Sequence, residues 1–233
     1  MTPFATVTSR VAPFPRADVD TDQIIPARFL RGVNRTGYGQ YLFHGLRFTA
    51  TGEAEPGFEP NEPRYNGAEI LAAGANFGCG SSREHAAWAL LDHGFRVIVA
   101  PGFADIFRAN CYQNGLLPVV LDGRTVDAIV QRTRTSDGYT VTVDLEATRV
   151  TDSAGLDVAF DIDPFRRDCL LNGWDDIDLT LQHEEAIRAY EQSRGLAPSM
   201  DRAGSDREQR QRPDAPGEPQ STWGGARGTY DGC

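Results

Sequence analysis

The 233-residue chain has no lysine; all 23 of its basic residues are arginine. This removes the amine needed for a Schiff base and the phosphate-reaching residue of a Walker loop. An anion site must therefore be built from arginine forks, hydroxyls and backbone amides. Cysteine is also scarce. Cys79, Cys111, Cys169 and Cys233 stand far apart with no C-x-x-C pair, which argues against a disulfide framework and against a self-contained metal site. No metal ligands are expected here, and an iron-sulfur cluster, if the chemistry needs one, would be held mostly by another chain. Nor is there a run of about 18 apolar residues, the length that spans a bilayer. The opening Met1-Thr2-Pro3-Phe4-Ala5 has neither a basic nor an apolar leader segment, so a cytoplasmic protein is expected. The formal net charge of -10 disfavours generic binding to nucleic acid or anionic membrane, since those surfaces repel an acidic protein that lacks a basic patch.

What remains suffices for a folded body: 40% of the residues are hydrophobic, ordinary for a globular chain with a core. Periodicity predicts a strand over 68–74, a helix over 82–93 ended by Gly94, and an apolar strand over 96–100. A helix over 103–112, stopped near Gly115, and a buried strand over 116–121 continue the alternation. Strands alternating with helices imply parallel pairing. Beyond a helix over 125–133 come an alternating strand at 139–146 and short strands at 149–151 and 157–161, a more antiparallel half. Helices are predicted at 164–171, opened by Pro164, and at 183–192. Residues 47–65, rich in Gly, Glu and Pro, read as a surface loop or insertion, and mobility is expected over about 28–65. From residue 194 onward Gly, Pro, Ser, Gln, Asp and Arg dominate, so 1–193 is expected to be the folded body and 194–233 a disordered tail.

Two segments are dense in chemistry. In Gly78-Cys79-Gly80-Ser81-Ser82-Arg83-Glu84-His85, Gly78 and Gly80 permit a sharp turn and close approach of a ligand to the backbone. Two hydroxyls, an arginine fork and the positive end of a helix dipole suit a carboxylate or phosphate. An equal alternative is a capping box, in which Ser81 accepts from the amide of Glu84 and Glu84 reaches back. A dinucleotide fingerprint fits less well, because Arg83 stands where G-x-G-x-x-G requires a small residue.

The second segment is Asp18-Val19-Asp20-Thr21-Asp22-Gln23-Ile24-Ile25-Pro26. An EF-hand is excluded by Gln23 and Phe29, which occupy the positions of the loop's glycine and terminal glutamate. Two readings stay open: a solvated, Asp-capped turn, or carboxylates that orient arginines. Arg28, Arg31 and Arg35 follow, then Thr36-Gly37-Tyr38-Gly39, a flexible stretch able to deliver an arginine to a dicarboxylate.

Together, Asp20-Thr21-Asp22-Gln23-Ile24-Ile25-Pro26 and Asn76-Phe77-Gly78-Cys79-Gly80-Ser81-Ser82-Arg83-Glu84-His85 resemble the small-subunit family of bacterial 3-isopropylmalate dehydratases, relatives of aconitase. Phe103-Ala104-Asp105-Ile106-Phe107, Gly115-Leu116-Leu117-Pro118, Phe165-Arg166-Arg167 and Leu179-Thr180-Leu181-Gln182-His183 match as well. The resemblance runs over residues 3–194 and stops at the tail. It implies an α/β fold: the swivelling β/β/α domain of the aconitase superfamily, with a mixed, partly parallel sheet and flanking helices. It also implies a large partner subunit that bears a four-iron four-sulfur cluster, and a dicarboxylic hydroxy acid isomerised by loss and re-addition of water. By the resemblance Ser81 corresponds to the general base, and Ser82 and Arg83 to carboxylate-binding neighbours. Arg35, with Arg31 as its competitor, corresponds to a second carboxylate-binding arginine. Asp22, Asp20 and His85 are expected to orient or support the site. The same machinery would serve a homoaconitate or methylmalate-type acid, with apolar Leu30 and Val33 candidates for facing an isopropyl group; a non-catalytic anion-binding module is the third alternative.

Overall fold

The computed structural model describes residues 1–30 and 35–195. Arg31, Val33 and residues 196–233, nearly all of the expected tail, lie outside the described residues. The chain divides after Gln182. The unit Met1–Gln182 holds seven strands: β1 (Thr6–Phe14), β2 (Ile70–Ala73), β3 (Val97–Ala100), β4 (Leu117–Val120), β5 (Thr140–Asp144), β6 (Arg149–Asp152) and β7 (Asp157–Ala159). Its helices are α1 (Thr21–Ile24), α2 (His44–Arg47), α3 (Glu84–His93), α4 (Asp105–Asn114), α5 (Gly123–Thr135), α6 (Pro164–Asn172) and α7 (Asp176–Leu181). The second unit contributes α8 (Glu184–Ser193), braced by an Arg188–Glu184 pair one turn apart.

The strands form one mixed sheet in the order β4-β3-β2-β1-β5-β6-β7. β1 to β4 are parallel, and β5, β6 and β7 continue from β1 as an antiparallel meander. β1 joins the two halves: Thr6–Arg10 pair with β5, and Val11–Phe14 pair with β2. Its burial changes at the same place, alternating over the first half and continuous over the second. An antiparallel strand can face water on one side, whereas a parallel strand between helical layers cannot.

Helices cover both faces. Leu71, Ala73, Ile98 and Ala100 share a cluster with Ala86, Ala89 and Leu90 of α3 and with Phe107 and Cys111 of α4. The alternate residues Ile70, Ala72, Val97 and Val99 pack with Val126, Ile129 and Val130 of α5 and with Leu170 of α6. Each fully buried Val, Ile or Leu contributes about 1.5–3 kcal/mol. The expected α/β sheet with flanking helices is thus present, and the predicted stops at Gly94 and Gly115 are the C-caps of α3 and α4.

Residues 47–65 have more structure than their composition announces. They include short 3-10 turns at Glu59–Asn61 and Pro63–Tyr65, and Phe58 and Tyr65 are buried. Arg134 of α5 grips Glu59 with both ends of its fork at 2.7 Å.

Candidate active site

At the carboxyl ends of β1, β2 and β3 the three following loops are hydrogen-bonded side by side. Such ends are where open parallel sheets present ligand sites. Asp18 N donates to Ala75 O at 2.9 Å, Gly78 N to Val19 O at 2.8 Å, and Thr21 N to Cys79 O at 2.9 Å. On the other side Phe77 N donates to Gly102 O at 3.1 Å and Ala104 N to Phe77 O at 3.0 Å. The buried ring of Phe77 packs edge-on against Phe107 of α4, 5.5 Å between centroids. A Cβ built on Gly78 would lie 2.2 Å from the Phe107 ring, and the residue has φ +79. Both facts require glycine there, since side chains are rarely tolerated at positive φ.

The serines sit on the outer edge of this stitched loop. The predicted helix start at residue 82 is corrected: α3 begins at Glu84, and Arg83 at its N-cap is extended, with φ -140 and ψ 108. The carbonyls of Cys79 and Ser81 are both engaged by Thr21, whose hydroxyl donates to Ser81 O at 2.9 Å, so residues 79–83 are drawn out as an edge and do not coil. The capping-box alternative fails for the same reason. Arg83, not Ser81, is the N-cap, and Glu84 accepts from Asn114 Nδ2 at 2.9 Å. Ser81 and Ser82 are exposed, and among the described residues neither hydroxyl is hydrogen-bonded.

Arg83 is mostly covered, and its Nη1 donates to Asp22 Oδ1. Among the described residues its Nε and Nη2 make no hydrogen bond. The Arg83 hydrogen bond, working against partial burial, holds the Asp22 carboxyl below its ordinary range, and Asp22 also accepts from Ala27 N at 3.2 Å. Asp20 makes no bond to Arg83 among the described residues and acts on the backbone of α1. Its Oδ1 accepts from Gln23 N at 2.7 Å and Gln23 Oε1 returns to Asp20 N at 3.1 Å, a capping box on α1. So the capped-turn reading describes Asp20 and the arginine-orienting reading describes Asp22.

The structure does not gather all the sequence candidates in one place. Arg35 lies with its guanidinium over Trp88, 5.9 Å from the ring centroid, and lines a cavity with Met1, Thr36, Trp88 and Gln113. His85 packs against the same Trp88 at 4.5 Å and edge-on to Tyr38 at 5.2 Å. Among the described residues no hydrogen bond, ion pair or ring contact joins either to Ser81 or Arg83. His85 belongs to α3 itself, and the segment that carries Arg35 is held beside that helix because Asp92 Oδ2, near its far end, accepts the amides of Gly37 at 2.9 Å and Gly39 at 2.7 Å. Leu30 packs against the buried cluster of α3 and α4, so its side chain is occupied by the protein's own core.

Thr21, Asp18 and Asn76 were not singled out by sequence reasoning. Asp18 and Asn76 both have left-handed backbones, φ 54 each, and Asn76 Nδ2 donates to Asp18 Oδ1 at 2.8 Å, tying the two loops at their bases. Asn and Asp tolerate this conformation best, so their residue types were the one signal available. Burial raises the Cys79 thiol, with Asp20 and Asp18 adding to it. Among the described residues no three His, Cys, Asp or Glu side chains converge to hold a metal.

Known proteins share this arrangement and sequence. Residues 1–124 match the aconitase C-terminal domain, 127–164 match a model described as LeuD_N, and 176–195 match the C-terminal domain of the 3-isopropylmalate dehydratase small subunit. The 3-isopropylmalate dehydratase small subunit of Marinobacter nauticus is 53% identical over 193 residues, covering 79% of this chain and 90% of that protein. That of Halalkalibacterium halodurans is 51% identical over 83% of this chain and 100% of its own length. A crystal structure of a 3-isopropylmalate dehydratase from Methanocaldococcus jannaschii superposes with a TM-score of 0.56 at 25% identity, covering 80% of this chain and 99% of that one. With half its residues identical to theirs over most of its length, the chain belongs to the 3-isopropylmalate dehydratase small-subunit family.

Proposed function

We propose that this chain is the substrate-gripping small subunit of a 3-isopropylmalate dehydratase, a hydro-lyase that interconverts 2-isopropylmalate and 3-isopropylmalate through isopropylmaleate in leucine biosynthesis. The observation that carries the reading is the loop edge itself: an uncommitted Ser81 hydroxyl beside an arginine whose fork is only half engaged. The small-subunit relatives, about 50% identical, support the same reading.

In this reading Arg83 keeps one nitrogen on Asp22 and offers the rest of its fork to a substrate carboxylate, with the Ser82 hydroxyl as a second donor. Ser81 Oγ takes the proton from the carbon beside a carboxylate. An alcohol is a poor base, and Arg83 together with the amides of residues 81–83, which have no hydrogen-bond acceptor among the described residues, lowers the cost of the alkoxide and of the negative charge spreading onto the carboxylate. Arg35 is the second carboxylate arginine; from its place over Trp88 it has to move with residues 35–39 to reach the serine edge. The described residues offer no ligand set for an iron-sulfur cluster. In this proposal that cluster belongs to a large subunit, where it supplies Lewis acidity for the departing hydroxyl.

Anaerobic mixing of the purified chain with its large subunit tests the reading, with turnover of 3-isopropylmalate and homoaconitate followed by absorbance of the unsaturated intermediate. Isopropylmalate is expected to be the better substrate. Ser81→Ala should fold and assemble yet lose roughly 10²- to 10⁴-fold in kcat, the range of a general base. Near-normal turnover would remove Ser81 from that role.

A further inference from the structure

We infer that Thr21 is a positioning residue for the reaction: its side chain fixes the backbone that carries Ser81, while its neighbour Asp22 fixes the side chain of Arg83. The inference rests on Ser81 as the base. Thr21 is 2% exposed, and its hydroxyl has a single partner among the described residues, Ser81 O at 2.9 Å. Its amide donates to Cys79 O at 2.9 Å, so one residue spans the serine loop with two bonds two residues apart. Between those bonds lies Gly80, with φ +89, a pivot about which the chain would otherwise swing.

The holder is itself held. Asp20 caps α1 and forms a bridge with Cys79, and Ile24 and Ile25, directly after Thr21-Asp22-Gln23, are fully buried in the core of α3 and α4. The first turn of α1 therefore acts as a two-pronged clip on the loop edge. Thr21 reaches Ser81 through the main chain, and Asp22 reaches Arg83 through its fork. Among the described residues the Ser81 hydroxyl has no hydrogen bond of its own to orient it, so this backbone sets its place. Displacing a reacting group by about 1 Å can cost on the order of 100-fold in rate, so losing the Thr21 prong should be felt in the chemical step and not in substrate binding, which Ser82 and Arg83 perform.

Thr21→Val keeps the shape and removes the donor; Thr21→Ser keeps the donor and removes a methyl. With the complex of both subunits, Thr21→Val is expected to lower kcat by roughly 10- to 100-fold with KM near wild type, and Thr21→Ser to restore most of the rate. A substrate deuterated at the carbon that yields its proton adds a readout independent of the amount of folded enzyme. The isotope effect on kcat should rise in Thr21→Val, because proton abstraction from the substrate carbon by a displaced base becomes more rate-limiting. An unchanged isotope effect in Thr21→Val, or a Thr21→Ser enzyme as slow as Thr21→Val, would overturn the inference. Ser81→Ala separates the two readings: if it is inactive while Thr21→Val behaves as wild type, Ser81 remains the base and only the positioning role falls.

Discussion

Arg83 commits only part of its guanidinium to the protein. Nη1 is tied to Asp22, while among the described residues Nε and Nη2 make no hydrogen bond, on a side chain that is 18% exposed. A lysine at this position keeps the charge but presents a point donor, so it can satisfy Asp22 or a substrate carboxylate and not both in planar geometry. Arg83→Lys is therefore expected to raise KM by roughly 10- to 100-fold, the worth of a hydrogen bond to a charged group, with kcat less affected. A KM equal to wild type in steady-state kinetics of the complex would show that Arg83 does not grip the substrate. The arginine-only composition fits this logic, since each of the 23 arginines has a fork that can be divided in this way.

Among the elements, α5 is tied to the meander by one buried carboxylate. Asp152, at the end of β6, has a fully covered side chain that accepts from Arg132 of α5 and from Tyr139, both at 2.5 Å, and from the amides of Ala154 and Leu156 at 2.7 and 2.8 Å. Burial works to raise its carboxyl, but these hydrogen bonds outweigh burial and hold it below its ordinary range. A folded value below the unfolded one, near 3.9, means that Asp152 stabilises the fold fully above about pH 4 and progressively less as pH falls through the folded value. Asp152→Asn should cost about 1–3 kcal/mol at neutral pH, seen as a drop of several degrees in melting temperature. The gap between variant and wild type should narrow on acidification, and melting curves that stay parallel down to about pH 3 would contradict the account.

The sequence showed these elements unevenly, for identifiable reasons. β2, β3 and β4 are unbroken apolar runs, and α5 repeats Val126, Ile129, Val130 and Thr133 at helical spacing, so all were legible. β1 went unassigned although it is central, because Arg10 and Pro13 interrupt its pattern and proline withholds a ladder donor. α1 and α2, with four residues each, are shorter than the window over which a helical period can be recognised. At the site, residue types marked Ser81, Ser82 and Arg83, and the Ser81–Glu84 spacing marked a capping box that the fold does not make. What decided between them was Thr21, some 60 residues away in sequence, and no local pattern could report that contact.

For the whole molecule, the proposed function has a second chain complete the site edge formed by three loops, so the behaviour of that edge should change when the second chain is added. Arg35 stays on the side of α3 through Trp88 and through the Asp92 carboxylate that holds Gly37 and Gly39. We expect amide hydrogen exchange over residues 35–65 to be fast in the isolated chain and to slow at least several-fold when the large subunit and substrate are added. Equal protection in both states would mean that this region takes no part in assembly. β1 carries a consequence of another kind, for the order in which the molecule can be made. Its first half pairs with Thr140–Asp144 and its second with Ile70–Ala73, so the earliest made of these seven strands is among the last to find all its partners. Such long-range pairing slows folding and leaves a strand edge exposed during synthesis. Thr6, Thr8, Ser9 and Arg10, four polar residues around Val7, keep that waiting edge from being a purely apolar one.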